Sequence, residues 1–212
     1  MRSFHPIPGN PWPHDMTITI EDSPEALLEL LWVREAWRLA VELDDAPPPL
    51  TDTPQFAAGD HDTATWATEW AALWTEALTH AANDVDRTLI QRLQTTPPGS
   101  DERREILAQL VGPTWSERFG FETLGDGFHR WNSRHIEGVV AGHRQRAVDR
   151  ERACLDALVP AWRAGLTRVV VLPCCGTFTR TIGAHALLVT TETRDDGDRY
   201  STALAQFDPA GR

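Results

Sequence analysis

The sequence predicts an α+β fold: one mostly helical domain of 212 residues, with four to five helices packed on a small, mainly antiparallel sheet near the C-terminus. Three observations predict it. Long stretches carry apolar residues at steps of three and four, the period of an amphipathic helix. One β-branched run, Arg168-Val169-Val170-Val171-Leu172, stops at Pro173 and reads as a buried strand that helices could cover. Short alternating segments, at residues 17–20 and after Gly176, supply its neighbours.

Residues 1–15 hold Pro6, Pro8, Pro11 and Pro13 and read as an extended proline-rich arm. Thr17-Ile18-Thr19-Ile20 suits an edge strand. A helix over 24–41 follows, with Ser23 as its cap and Pro24 in its first turn. Leu27, Leu30, Leu31, Trp37 and Val41 form its buried face, with Glu29, Arg34, Glu35 and Arg38 turned away. A proline-rich loop spans 43–60.

Residues 61–93 carry Trp66, Trp70, Leu73, Trp74, Ala77, Ala81, Val85, Leu89 and Leu93 at helical spacing, as one long helix or two that break near Asn83-Asp84. The Trp66, Trp70, Trp74 ladder is read as core, part of a tryptophan-rich interior. Ser100 caps a helix that Gly112-Pro113 stops, with Ile106, Leu107, Leu110 and Val111 on its buried side. A helical block over 128–164 has the stripe Ile136, Val140, Ala147, Cys154, Leu158, Trp162, and Gly165 hands it to the strand at Arg168. After Gly176, two more strands would make a meander, and a terminal helix carries Tyr200, Ala203, Leu204 and Phe207.

A formal net charge of −11 disfavours nucleic acid and anionic membrane surfaces as partners. All 20 basic residues are arginine, which excludes lysine Schiff-base and P-loop lysine chemistry. No stretch approaches the ~20 apolar residues of a membrane helix. Three cysteines make no disulfide framework, so the expected setting is cytoplasmic with reduced thiols. No cofactor motif is present, and no cofactor is expected.

Two constellations could carry chemistry. The first is the helix bearing His129, Arg130, Arg134, His135 and His143, with Arg144 and Arg146 beyond. Its arginines suit a carboxylate or phosphate, which makes Arg130, Arg134, His129 and His143 candidate ligand-binding residues. His135 and His143 stand about 12 Å apart along a helix, too far to share one metal, and neither HExxH nor Hx3H spacing occurs, so no metal is expected. The second is Cys174-Cys175, in the turn after the buried strand, where a nucleophile could sit with His185 or His135 as base; these four are the catalytic candidates.

Acidic residues crowd the first sixty positions, eleven Asp+Glu against Arg2, Arg34 and Arg38. On this basis the leading expectation is a non-catalytic acidic protein that acts by binding another protein, a basic partner being the complement of that charge. The alternative is a hydrolase or small-anionic-ligand-binding protein, with a cleft between the His129- and His143-bearing helix and the Cys174-Cys175 loop.

Overall fold

The computed structural model describes residues 11–57, 59, 61–83, 86–145 and 149–209. Most of the proline-rich arm, the helix positions proposed for Val85 and Ala147, and the anion ligand proposed at Arg146 lie outside the described residues. In chain order the elements are β1 (Thr19–Glu21), α1 (Glu25–Ala36), α2 (Thr63–Ala82), α3 (Arg87–Thr95), α4 (Asp101–Val111), α5 (Trp115–Phe119), α6 (Gly125–Gln145), α7 (Arg150–Ala153), α8 (Leu155–Arg163), β2 (Arg168–Leu172), β3 (Thr179–Ile182), β4 (Ala186–Thr190), α9 (Thr191–Asp195) and α10 (Gly197–Ala205). The α+β class is as expected. Contacts group the chain into two compact units: residues 1–23, 47–52 and 133–212 in the first, and 24–46 and 53–132 in the second.

The first unit holds the sheet, in the order β1-β2-β4-β3. It is mixed rather than mainly antiparallel: β1 and β4 both run parallel to β2, and only β3 runs antiparallel, beside β4. The simple meander fails because of burial. All five residues of β4, Ala-Leu-Leu-Val-Thr, are buried, whereas Thr179, Arg180 and Thr181 of β3 are only half-buried. An apolar run covered on both faces belongs in the middle of a sheet, and a polar strand belongs at its edge. The β3–β4 hairpin therefore docks through β4, with Val170 beside Leu188 and Leu172 beside Thr190.

One face of the sheet presents Val169, Val171, Leu187 and Val189. It packs with Leu155 and Leu158 of α8, Tyr200 and Leu204 of α10, and Phe207. Gly165 supplies the link from α8 into β2: its φ of +119° lets the Leu166 amide turn back to the Ala161 carbonyl. The expected terminal helix is α10. Residues 49–51 lie against the turn after β2, where the Cys175 amide donates to the Pro49 carbonyl and the Thr51 amide to the Pro173 carbonyl.

The second unit is the tryptophan-rich one. Trp32, Trp37, Trp66, Trp70, Trp74, Trp115 and Trp131 are all buried there, including the three rings of the expected ladder. Trp70 and Trp74 stack at 5.1 Å, and the Trp70 indole donates to the Leu30 carbonyl at 2.6 Å. The break expected near Asn83 separates α2 from α3.

Three helical faces depart from expectation. Helix α1 stops at Ala36, because Arg38 takes a left-handed φ of +49°, and its N-cap is Pro24, with no side-chain cap from Ser23. Glu29, expected outside, is buried, and its carboxylate accepts from both the amide and the hydroxyl of Ser116 at 3.0 Å. Local periodicity placed Glu29 on the polar side, but α5 caps its own amide and hydroxyl with that carboxylate. Ile136 and Val140 of α6 and Leu107 of α4, expected in the core, are 45%, 42% and 40% exposed.

Two stability measurements follow. Leu188→Ala is expected to lower the unfolding free energy by about 2–5 kcal/mol in urea, whereas Thr181→Ala on the edge strand costs under about 1 kcal/mol. Burial raises the Glu29 pKa above its ordinary 4.5, partly offset by the Ser116 hydrogen bonds. The stability linked to that raised pKa is present below 4.5 and is lost as pH rises through the folded value. Glu29→Gln is expected to remove this alkaline-going loss, read as melting temperature against pH. Glu29→Ala, which takes the acceptor from the buried Ser116 amide, is expected to cost about 1–3 kcal/mol.

Candidate functional site

Because β1, β2 and β4 are parallel, their carboxyl ends share one edge of the sheet, where ligands bind in open α/β sheets. The sequence places Asp22 directly after β1, Pro173-Cys174-Cys175 after β2, and Thr191 to Arg194 after β4. Every one of these residues belongs to the first unit.

Asp22 is the hub. Its Oδ1 accepts from Nη1 of Arg194 at 2.9 Å, and its Oδ2 lies 2.9 Å from Nε2 of His143. Its backbone carbonyl lies 3.1 Å from Nε2 of His135. On its other side, Arg194 donates from Nε and Nη2 to Oε1 of Glu151, at 2.9 and 2.8 Å. The Arg194 side chain is only 5% exposed. Burial works against its charge, but the carboxylates of Glu151 and Asp22 outweigh that and hold its pKa above the ordinary value. Tyr200 lies fully buried beside this pair, and burial pushes its phenol pKa up. Arg150 pairs with Asp195, and Arg168 with Glu21 at 3.1 Å.

These contacts fix tautomers. A carbonyl or an ionised carboxylate can only accept, so Nε2 is the donor in both His135 and His143, and in the neutral ring the lone pair is then on Nδ1. His143 is 52% exposed, and its partner Asp22 only 12%. The arrangement is an open imidazole backed by a held carboxylate, the geometry of a general acid–base pair.

The predicted residues fall in several places. His135 and His143 meet at Asp22. Arg134 also lies in the first unit, with Nη2 2.9 Å from Asp52. His129 and Arg130 lie on the part of α6 that belongs to the second unit; both are exposed, and Arg130 donates to the Asp126 carbonyl. Cys174 is fully buried, while Cys175 is exposed, its thiol 3.6 Å from the Leu50 carbonyl.

The pairing of His185 with the cysteines needs correcting. His185 precedes β4 and Cys174 follows β2, so a strand length of about 16 Å separates them at opposite edges of the sheet. The His185 imidazole instead lies 3.0 Å from the Gly165 carbonyl. The strand-end threonines are occupied as well: Thr190 bonds the Gly176 carbonyl, Thr191 the Leu172 carbonyl and Thr193 the Phe178 carbonyl. Among the described residues, no three His, Cys, Asp or Glu side chains form a metal-binding group.

In the second unit, a groove of about 530 Å³ runs past Arg38, Glu42, Thr63, Ala64, Ala67 and Ala71, with the Arg38 guanidinium 4.7 Å from the Phe56 ring. Its two charged residues have opposite signs, and half of its lining residues are alanine.

Sequence reasoning missed Asp22, Glu151 and Arg194. Asp22 reads as a helix-start residue, and Arg194 stands just ahead of the Asp195-Asp196-Gly197-Asp198 turn. The available signal was β4: its unbroken apolar run is a parallel-strand pattern, which would have pointed to the carboxyl edge. Comparison with family models, with curated proteins and with solved structures finds no match to this chain.

Burial, opposed by the contact with Asp22, lowers the His135 pKa from 6.5. The stability linked to it is present above 6.5 and is lost as pH falls through the folded value. In an imidazole-resolved NMR titration, the His135 midpoint is expected below 6.5, and His135→Gln is expected to remove this acid-side loss of stability.

Proposed function

We propose that the first unit is a hydrolase-type acid–base site acting on a small acyl substrate, with His143 as the base and Asp22 as the group that orients it. The observation that carries this reading is the chain His143–Asp22–Arg194–Glu151: an exposed imidazole whose carboxylate partner is fixed by an arginine that is itself fixed. In this reading Nδ1 of His143 takes a proton from water as the water oxygen bonds to the acyl carbon. The same proton passes to the leaving oxygen as the ester bond breaks, yielding acid and alcohol. Asp22 holds the Nε2 proton in place and stabilises the imidazolium that forms.

Protein binding through the acidic N-terminal stretch has less support. Glu21 faces Arg168, Asp22 faces Arg194, Glu29 faces Ser116, Glu35 faces Arg34 and Asp52 faces Arg134, so at least five of those eleven carboxylates are engaged internally. The stretch is also divided between the two units.

The test is hydrolysis of p-nitrophenyl acetate by the full chain. His143→Ala is expected to lose about a hundredfold or more in rate, and Asp22→Asn a comparable share, while Cys175→Ser retains the wild-type rate. Equal turnover by wild type and His143→Ala sinks the reading.

A further inference from the structure

We infer that His135 is the positioning residue of this site: by donating to the Asp22 carbonyl, it sets α6 in the register that brings His143 to the Asp22 carboxylate. The inference rests on the acid–base reading of His143 and deepens it. Its starting point is how little else holds this part of α6. Among the described side chains from Ser133 to Arg144, none is buried, and Ile136 and Val140, the residues that would normally glue a helix down, face outward. Among the described residues, three polar ties to the rest of the first unit stand in their place: Arg134 to Asp52, His135 to the Asp22 carbonyl and His143 to the Asp22 carboxylate.

The three are unequal. The Arg134–Asp52 pair is 59% and 60% exposed, and an ion pair so open to water contributes little. The His143 contact is the functional one, and its imidazole is half open to solvent. His135 is the least exposed of the three side chains from α6, and it bonds to a main-chain atom whose position is set by β1. Eight residues, about 12 Å of helix axis and some 80° of rotation separate the two histidines, and yet both reach one residue. A helix tied at one point can pivot. Tied at Asp22 by two imidazoles that converge from positions two turns apart, it cannot pivot without breaking one of the bonds. The weakly packed helix is thereby made precise at the one place where the proposed chemistry needs precision.

Two variants separate geometry from bulk. His135→Phe keeps a ring of similar size but removes the donor; His135→Gln keeps a donor at the reach of Nε2. Each is measured by hydrogen exchange at the amides of residues 137–144 and by p-nitrophenyl acetate turnover, and the amides of β2 and β4 report whether the fold is intact. His135→Phe is expected to speed exchange at 137–144 about five- to tenfold, the loss of one net hydrogen bond, and to lower kcat with little change in KM. His135→Gln is expected to restore both.

Unchanged exchange at 137–144 in His135→Phe overturns the positioning role whatever the activity. Faster exchange with unchanged turnover overturns His135 as the positioning residue of the site and leaves it only as a tie that holds α6; the acid–base reading itself falls only with equal turnover by wild type and His143→Ala. Equal losses in the Phe and Gln variants overturn the hydrogen bond as the cause.

Discussion

Two five-residue strands with every side chain buried, β2 and β4, constrain the first unit more than anything else in it. A strand covered on both faces has to lie inside the sheet, because at an edge it would leave apolar surface and unpaired amides open. Pairing β2 directly with β4 satisfies both at once and sends the polar β3 to the outside. Parallel pairing follows from that choice, since β3 uses up the antiparallel return. With β1 also parallel to β2, three carboxyl ends come to the same edge. Each is followed at once by a polar segment, and the Asp22 hub is the result.

That hub has a physical logic of its own. A guanidinium with only 5% of its side chain in water would be strongly disfavoured alone; placed between Glu151 and Asp22, it stays charged. The arrangement costs desolvation and is weak evidence of stability. Its effect is geometric, since a planar fork bonded to two carboxylates leaves Asp22 little freedom to rotate. An immobile carboxylate beside a half-exposed imidazole is a different object from a surface ion pair in which both partners swing in solvent. The same contrast explains why Arg134 with Asp52, at the same 2.9 Å, carries no comparable weight.

The second unit solves a packing problem instead. Its buried tryptophans fill the space between helices, and where an indole has a partner it is a backbone carbonyl or a hydroxyl, as with Trp70 and Leu30 or Trp115 and Thr123. Glu29 belongs to the same scheme, because its burial is tolerable only while it accepts both bonds from Ser116.

The sequence by itself determined the longer helices and the strand at Arg168. Helix periodicity, Ser100 as a cap and Gly165 as a stop act over a few residues, and so they are legible in the chain. It also determined that the Trp66, Trp70 and Trp74 face would be interior, because that much apolar area has to leave water. His135 and His143 stood out as a spaced pair, but the residue at which they meet, Asp22, lies more than a hundred residues earlier, and nothing local connects them. Only the tertiary structure decided that β4 would insert beside β2, that Glu29 would turn inward, that Ile136 and Val140 would stay outside, and that Asp22, Glu151 and Arg194 would meet. Strand order and the meeting of buried charges depend on which distant surfaces exclude water together, and residue spacing along the chain does not encode that.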